Sequence, residues 1–421
     1  MTEAQNKQVS HKTDLFRVFA PERVAAFVQE ISGYLSRDGS SVVHIMPLAW
    51  RIGHLAMEPH ALWELFRETH DRQIIVIPPA SLATHSAGVR AVIEPFITIA
   101  ETTNNQTMLM GHMDAGTLNV SPLTWYQRGP AGLLDDYIKF LNSNGRKPHH
   151  FPVPETVSSA TRAFCEKRGI AGSDRIVVLN VRDRNFLPEQ DTHFYRTADI
   201  ATYEPAIRYL LDQGYWVLRT GLTGSVEAPV THPRYLDIWK EPDYTDFLDP
   251  GLIARSRFGI TCSSGPEAVF RILGTPQLMV NGVLQSGMWM NPHDKLVFKN
   301  YVTIDDGKPA RLRSMLEQGV ALYSDIENVA GCGFAVEDNT AGQILEAVIE
   351  MEASLSGAHR PDETANRRFL EIGAEYQAFL GSSGHPADRR SVARRQTQYG
   401  YALPWTQLAD SYVRSHPDFL E

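Results

Sequence analysis

The second half of the chain alternates short apolar runs with stretches of helical periodicity. Runs such as 175–181 and 277–281 are apolar without interruption at their centres, whereas a strand with one face in water alternates apolar and polar side chains. A strand of the first kind must be covered on both faces, which a parallel sheet between two layers of helices achieves. Here we predict helices at 158–168, 203–212, 252–256, 266–273 and 341–355 and strands at 175–181, 216–220, 235–238, 258–261 and 277–281.

The first third of the chain shows the same alternation less regularly. After an opening helical segment, apolar runs that end at loops are separated by helical patterns. The fold class predicted for the whole chain is therefore α/β, with two Rossmann-like domains in which parallel sheets are flanked by helices. The elements predicted in this first part are helices at 15–35 and 55–66 and strands at 42–46, 74–77, 92–99 and 108–110.

The length of the chain indicates more than one domain, and a proline-rich segment indicates where the boundary lies. A sequence of 421 residues that is 43% hydrophobic is too long for one ordinary core. Residues 142–154 combine an Asn-Gly pair with three prolines, which disfavour both helix continuation and sheet pairing. We predict an N-terminal domain at 1–144, a linker at 145–156, a C-terminal domain at 157–360 and a helical tail at 361–421. The last part of this tail, residues 399–421, either packs back on the domains or serves an oligomer.

The net charge and the cysteine content restrict the classes of binding partner and the redox environment that fit this chain. A formal net charge of -9 argues against general binding of nucleic acid, which needs a concentrated positive surface, so a small-molecule partner is expected. Cys165, Cys262 and Cys332 lie far apart without CxxC spacing, which predicts neither a disulfide framework nor a zinc site. A reducing, cytoplasmic environment fits this pattern, and the oligomeric state stays open.

No segment of the sequence suggests membrane insertion. The first residues are polar and lack the apolar core of a signal peptide, and no later stretch reaches the length of a membrane span. A basic patch can still hold a protein at a membrane surface, so peripheral contact with the inner face of the membrane is kept as an alternative. The residues that could form such a patch are Arg389, Arg390, Arg394 and Arg395.

The sharpest local feature is a small polar turn between a predicted strand and a predicted helix. It contains Ser263, Ser264 and Gly265, and a proline follows in the first turn of the helix. Unpaired N–H groups and the helix dipole make such a helix start a phosphate site, although the serines could equally well only cap the helix. Glu267 either complements the dipole or accepts a ribose hydroxyl. Asn281, after the next strand, is either a ligand contact or a turn residue.

Cationic and aromatic residues follow two other predicted strands. Arg182, Arg196 and Arg219 are the candidates for a lining that grips phosphate oxygens through paired donors. Each of them could instead form a solvated ion pair. Tyr195 and Asp199 lie in the same stretch and are candidates for support, with Asp199 orienting an arginine or capping the next helix.

In the first domain, a loop that follows a strand and opens a helix carries the candidate acceptor site. Gly53 would let a substrate approach the backbone beside Arg51, and His54 could take a proton from an attacking hydroxyl near neutral pH. Glu58 and Asp114 are the competing candidates for the base. We expect no metal, because no second cluster with ligand spacing accompanies the His-Met-Asp stretch that ends at Asp114.

Several short motifs together resemble one family. Their sequence is similar to a family of bacterial glycosyltransferases found among surface-carbohydrate genes, and they span about residues 40–355. The polar loop 183–193 and the cysteine within the phosphate turn depart from the family pattern. The motifs are Arg51-Ile-Gly-His-Leu-Ala56, Tyr195-Arg-Thr-Ala-Asp-Ile-Ala-Thr-Tyr203, Gly214-Tyr-Trp-Val-Leu-Arg-Thr-Gly221, Ser263-Ser-Gly-Pro266 and Glu337-Asp-Asn-Thr340.

The resemblance implies a GT-B arrangement, two Rossmann-like domains with a cleft between them. The second domain would hold a nucleoside-diphosphate sugar as donor, and the first would be approached by a carbohydrate or other hydroxyl acceptor, with no cofactor required. The stereochemical outcome stays open. A nucleotide-sugar epimerase or hydrolase on the same scaffold, or a non-catalytic nucleotide-sugar-binding or scaffold protein, are the alternatives that the same residues allow.

Overall fold

The computed structural model describes residues 17–185, 195–222, 224–285, 287–322, 325–380 and 398–421. Its chain divides into two units, Met1–Phe140 and Leu141–Glu421. Among the described residues, no helix has both the length and the apolar character needed to cross a membrane.

Unit 1 is built on a mixed sheet in the order β3-β2-β1-β5-β4. The first three strands and β5 pair in parallel, whereas β4 runs antiparallel to β5. Because the chain builds outward from β1 to β3 and then returns to the other side of β1, the strand order reverses between β1 and β5. The strands are β1 Ser41–Ile45, β2 Arg72–Ile77, β3 Thr98–Glu101, β4 Gly116–Val120 and β5 Leu123–Gln127.

The helices of unit 1 cover the apolar strands. Trp125 of β5 lies at the centre of the core, where its ring packs against Phe27 with centroids 4.2 Å apart and against the edge of Phe19. Burying such large rings on one side of the sheet contributes several kcal/mol per side chain relative to exposure. The helices are α1 Pro21–Ile31, α2 Ile52–Phe66, α3 Ala87–Ile93, α4 Asn105–Gly111 and α5 Pro130–Asn144.

Two predicted strands of unit 1 are wrong. The stretch 92–99 contains the end of α3 and the start of β3, and the stretch 108–110 lies inside α4. Both helices begin at side-chain caps, since Ser86 accepts from the Val89 N–H (3.3 Å) and Asn104 accepts from the Gln106 N–H (3.0 Å). A short apolar run does not distinguish a strand from a buried helical turn, and the capping residues decide in favour of helix here.

Unit 2 contains a fully parallel six-stranded sheet in the order β11-β10-β9-β6-β7-β8. The predicted strands at 175–281 are confirmed as β6 to β10. A small antiparallel pair, β12 and β13, stands apart from this sheet. The strands are β6 Ile176–Asn180, β7 Trp216–Thr220, β8 Tyr235–Asp237, β9 Phe258–Thr261, β10 Gln277–Gly282, β11 Lys295–Phe298, β12 Asn300–Thr303 and β13 Phe334–Glu337.

Helices cover this sheet and the C-terminal tail packs into the same core. Tyr399 and Tyr401 of the tail are fully buried, and the Trp405 indole donates to the Met290 carbonyl oxygen (2.7 Å). The four arginines at 389–395 lie outside the described residues. The helices are α6 Glu155–Lys167, α7 Glu204–Asp212, α8 Leu248–Arg255, α9 Glu267–Leu273, α10 Leu312–Glu317, α11 Ile326–Gly331, α12 Ala341–Leu355, α13 Glu363–Leu380 and α14 Asp410–Ser415.

Candidate functional site

The strand order of unit 2 reverses between β6 and β9. From β6 the chain builds to β7 and β8 on one side, and from β9 it builds to β10 and β11 on the other. Open α/β sheets bind their ligands outside the carboxyl ends of the strands at such a reversal. The two strand ends are joined there by the Arg182 N–H, which donates to the Cys262 sulfur (3.2 Å).

The turn after β9 presents its residues unequally. Ser263 is buried, and its hydroxyl oxygen accepts from the Val283 N–H (2.9 Å). This side chain therefore ties the turn to the segment that follows β10. Ser264 is also buried, but its hydroxyl makes no hydrogen bond with any described residue, and Gly265 is partly exposed. Ser264 and Gly265 are therefore the members of the turn that remain suited to an anion.

Three cations lie around this reversal point. The Arg196 guanidinium is anchored by its Nε, which donates to the Ser263 carbonyl oxygen (2.8 Å). The Lys299 ammonium follows β11, donates to the Thr197 carbonyl oxygen (2.7 Å) and pairs with Asp338. Together with Arg182 they give the carboxyl edge of the sheet a positive lining.

All three cations lie close enough to the Cys262 thiol to change its pKa. Burial raises the pKa of the Cys262 thiol, while the backbone N–H of Arg182 opposes the increase. The charges of Lys299, Arg196 and Arg182 also lower the pKa of this thiol, which places all three near it. Lys299 was not predicted, although its position directly after an apolar run was a signal in the sequence.

Arg219 and Asn281 are fully buried and are used within the protein. The Arg219 guanidinium donates to the Val226 carbonyl oxygen (2.7 Å) and to Asp183 (3.3 Å). Asn281 exchanges two backbone-to-side-chain hydrogen bonds with Asn339, each of 2.6 Å. Both side chains therefore support the strand ends. Neither presents a donor group at the surface, so neither is available for the ligand contact that was predicted for it.

Glu267, Asp199 and Tyr195 occupy supporting positions. Glu267 is buried against Arg271, and burial raises the pKa of Glu267 to about 7 even though Arg271 and Arg196 oppose the increase. Asp199 caps the short helix that follows it by accepting from the Ala201 N–H (3.0 Å). Tyr195 is buried, and burial raises its pKa to about 12. A buried Glu267 is a poor partner for a ribose hydroxyl.

In unit 1, the predicted base candidates meet on one helix. His54 and Glu58 are one turn apart on α2, and His54 Nδ1 lies 2.6 Å from Glu58 Oε1. Glu58 is buried, whereas the His54 side chain is 24% exposed. Burial alone would raise the pKa of Glu58, but hydrogen bonds and charge from His54 and from His44 lower this pKa to about 2. An ionised carboxylate thus orients a partly exposed imidazole, which is the arrangement of a general base and its support.

His44 was missed in the sequence. It is a fully buried residue of β1, and its Nε2 lies 3.3 Å from Glu58 Oε2. The signal was a polar residue inside an otherwise apolar strand, Ser-Val-Val-His-Ile. Such a residue has to find buried partners, but a single sequence does not reveal which ones.

The remaining candidates of unit 1 are engaged with neighbours. Asp114 forms an ion pair with Arg128 (2.7 Å), which makes it less suitable as a proton acceptor than His54. The Arg51 guanidinium lies over the Trp50 ring, 4.7 Å from its centroid, and Gly53 is buried in the first turn of α2. None of these contacts brings Asp114 into the His54–Glu58 pair.

A cavity of about 470 Å³ opens in unit 1 where β1, β2 and β3 end. Its walls are apolar and uncharged-polar side chains with one histidine, and they include no lysine, arginine or carboxylate. The Trp50 side chain is 43% exposed there and offers an aromatic face. The lining residues are Pro47, Trp50, Pro78, Leu82, Ala83, Thr102, Thr103, Asn105, Met108 and His112.

Among the described residues of unit 2, one cluster combines three metal-type side chains, Glu350, His359 and Asp410. The Lys295 ammonium lies 2.6 Å from Glu350 Oε1 and supplies the positive charge of this cluster. Glu350 also accepts from the backbone N–H groups of Asp410 (2.9 Å) and Ser411 (2.7 Å). The carboxylate is therefore occupied in holding the C-terminal tail.

The sequence matches no protein-family model and no curated protein. Among solved structures it is similar to a glycosyl transferase family 9 protein from Veillonella parvula, at 15% identity, covering 57% of this chain and 80% of that chain with a TM-score of 0.40. A second is E. coli ADP-heptose LPS heptosyltransferase II, at 13% identity, covering 57% of this chain and 84% of that chain with a TM-score of 0.38.

A third similar structure is the dodecameric iron-containing heptosyltransferase TibC in complex with ADP-D-β-D-heptose. It is 12% identical and covers 76% of this chain and 78% of that chain, with a TM-score of 0.37. Similarity at this level does not place the chain in the family of these enzymes, so the site has to be interpreted from its own residues.

Proposed function

We propose that the protein is a GT-B-type glycosyltransferase that moves a sugar from a nucleoside-diphosphate sugar to an acceptor hydroxyl. The observation that carries the proposal is the cationic edge of the parallel sheet in unit 2, where Arg182, Arg196 and Lys299 surround the reversal between β6 and β9. A diphosphate would match the charge of the two arginines beside the small polar turn, while Lys299, which is buried and paired with Asp338, supports this edge.

The donor site would act mainly through electrostatics. During transfer, the bond between the anomeric carbon and the diphosphate oxygen breaks, and its electron pair stays on the diphosphate. Cations that are already held in place by protein contacts stabilise this developing charge without reorganising. Arg196, anchored on the Ser263 carbonyl oxygen, meets that requirement.

Unit 1 would supply the base and the acceptor pocket. As the acceptor oxygen bonds to the anomeric carbon, its proton passes to His54, and the hydrogen bond from His54 Nδ1 to Glu58 stabilises the imidazolium that forms. We assign the acceptor to the uncharged cavity at the ends of β1 to β3, where Trp50 provides a stacking face for a sugar ring.

The test is a thermal-shift screen of ADP-, UDP-, GDP-, CDP- and dTDP-sugars on the full chain. Ligands that bind only the folded state raise its melting temperature. We expect one nucleotide class to stabilise the wild type and Arg196→Ala to lose that stabilisation. Arg208→Ala is the matched control, because Arg208 is an exposed arginine on α7 that pairs with Glu204 on the same helix.

Product analysis by mass spectrometry, with the best donor and a panel of neutral glycoside acceptors, then separates the alternatives. A glycosylated acceptor supports the proposal. Conversion or hydrolysis of the donor without any acceptor would indicate the epimerase or hydrolase. Stabilisation without consumption would indicate a binding protein, and the absence of stabilisation by every nucleotide sugar would refute the donor site.

A further inference from the structure

His44 is the third member of the contact between His54 and Glu58, and the proposed reaction does not itself use it. It is fully buried in β1, and both of its ring nitrogens have a neighbour. Nδ1 lies 3.0 Å from the backbone carbonyl oxygen of Tyr126, and Nε2 lies 3.3 Å from Glu58 Oε2. The chemistry of these two neighbours determines which protons the ring carries.

Both neighbours of the His44 ring are hydrogen-bond acceptors. A carbonyl oxygen can only accept, so Nδ1 must carry a hydrogen. Burial alone would raise the pKa of Glu58, but the hydrogen bonds from His44 and His54 lead the effects that lower it to about 2, so the group is a carboxylate near neutral pH. A carboxylate also only accepts, so Nε2 must carry a hydrogen as well. A ring with two N–H groups is an imidazolium.

We propose that His44 is a positioning residue whose buried imidazolium compensates the charge of Glu58 and thereby keeps His54 neutral, with its hydrogen on Nδ1 and the lone pair on Nε2. A lone carboxylate 2.6 Å from His54 would favour the protonated form of His54, which cannot act as a base. Because the same carboxylate already neutralises His44, less of its charge is available to hold a second proton on His54.

The groups around this cluster come from three elements. The side chains whose charge acts on Glu58 are His54 from its own helix and His44 from β1. From β5 comes Tyr126, whose carbonyl oxygen faces His44 and whose hydroxyl donates to Asp136 (2.6 Å). Asp136 is in turn paired with Arg128 (2.9 Å), which also pairs with Asp114 (2.7 Å).

The first test observes the protons directly in the full-length wild type. After labelling with ¹⁵N-histidine, long-range ¹H–¹⁵N spectra near neutral pH distinguish protonated from bare ring nitrogens, and the His44→Gln and His54→Gln variants assign the signals. We expect two protonated nitrogens on His44, and one protonated Nδ1 with a bare Nε2 on His54. A bare nitrogen on His44 would overturn the inference, and this result does not depend on whether the protein has transferase activity.

The second test removes the charge through His44→Gln. With the positive group gone, Glu58 acts on His54 alone, so the same spectra at an unchanged, near-neutral pH should show that His54 Nε2 gains a proton. His70→Gln is the control, because His70 is a partly exposed histidine of unit 1 that bonds Thr124. If His44→Gln lowers stability but leaves His54 Nε2 without a proton, His44 has only a structural role.

The activity readout rests on the proposed function. The acidic limb of the kcat profile should move to higher pH in His44→Gln and should stay in place in His70→Gln. If no transfer is detected while the spectra show the expected protons, the proposed function fails and the positioning role of His44 stands. If His44→Gln does not fold, the wild-type spectra alone decide.

Discussion

At the scale of single residues, His54 combines a partly exposed ring with a carboxylate on Nδ1. His54→Ala should lower kcat by roughly 10²–10⁴-fold, the usual contribution of a general base. The KM for the donor should stay within a few-fold, because the proposed donor contacts all lie in unit 2. Steady-state kinetics measure both constants, with His70→Ala as the control. A variant that retains wild-type kcat would exclude His54 as the base.

Glu58 should also influence how stability depends on pH. Its pKa is about 2 in the folded protein against 4.5 in the ordinary state, since the contacts with His44 and His54 outweigh burial. A carboxyl with a lowered pKa stabilises the fold above its unfolded pKa and loses this contribution as pH falls toward the folded value. The difference in unfolding free energy between wild type and Glu58→Gln should therefore shrink as pH decreases from 5 toward 2. Urea titrations measure it, and an unchanged difference would contradict the assignment.

Asp249 should show the opposite dependence in unit 2. Burial raises its pKa to about 7, with a further increase from Asp246, against the hydrogen bond from the Tyr244 hydroxyl (3.0 Å). A carboxyl with a raised pKa stabilises the fold below its unfolded pKa, and this contribution is lost as pH rises through 7. Relative to wild type, Asp249→Asn should gain roughly 2–4 kcal/mol between about pH 4 and pH 8. Chemical denaturation tests this, with Asp212→Asn, an exposed residue at the end of α7, as the control that should not show the gain.

The sequence offered His54 and Glu58 as competing bases, and their spacing on one helix brings them into contact. The catalytic role of either residue stays a prediction. Lys299 and His44 were missed because their partners come from distant parts of the chain. Arg219 and Asn281 were placed at the correct edge of the sheet, but a sequence does not show whether a polar side chain at a strand end points to a ligand or to a neighbouring strand.

At the scale of elements, the position of the turn depends on how closely α9 packs on β9. A Cβ added at Gly259 would lie 2.0 Å from the Phe270 ring of α9, so this strand position admits only glycine without a shift of the helix. Gly259→Ala should cost about 1–3 kcal/mol, as overpacking in a core does, and should weaken the nucleotide-induced thermal shift because the turn is continuous with α9.

The matched control for Gly259→Ala is Gly342→Ala. Gly342 lies in the first turn of α12, where an added Cβ would come no closer than 4.0 Å to another residue. This substitution should leave both stability and nucleotide binding near wild type. Equal thermal shifts in the Gly259 variant and the wild type would show that the turn does not contribute to the donor site.

Element predictions from sequence were best for the buried parallel strands. Their uninterrupted apolar centres and flanking helices identified β6 to β10, because only burial on both faces accounts for that pattern. In unit 1 the runs at 92–99 and 108–110 were too short for periodicity to separate helix from strand. The hairpin of β4 and β5 was missed because each strand has only five residues with apolar and polar side chains mixed, and β4 is largely exposed.

At the scale of the whole molecule, the C-terminal tail is an internal part of unit 2. Leu408 bridges to Leu296 of β11, Tyr399 and Tyr401 are buried in the core, and the backbone of Asp410 is held by Glu350. Each of these contacts would leave apolar surface or a buried charge unsatisfied if the tail were absent. Removing residues 398–421 should therefore unfold unit 2 and abolish the nucleotide-induced thermal shift.

A point substitution tests the Glu350 contacts that hold the tail separately from the packing of its aromatic side chains. Glu350 pairs with Lys295 (2.6 Å) and accepts two backbone hydrogen bonds from the tail, and these contacts outweigh burial and lower its pKa. Glu350→Gln leaves the Lys295 charge buried without its partner and should cost about 3–5 kcal/mol. Glu346→Gln, one turn earlier on the same helix and exposed, should cost less than about 0.5 kcal/mol. Urea denaturation followed by tryptophan fluorescence gives both values, and equal stabilities for the two variants would show that the tail is held by its aromatic residues alone.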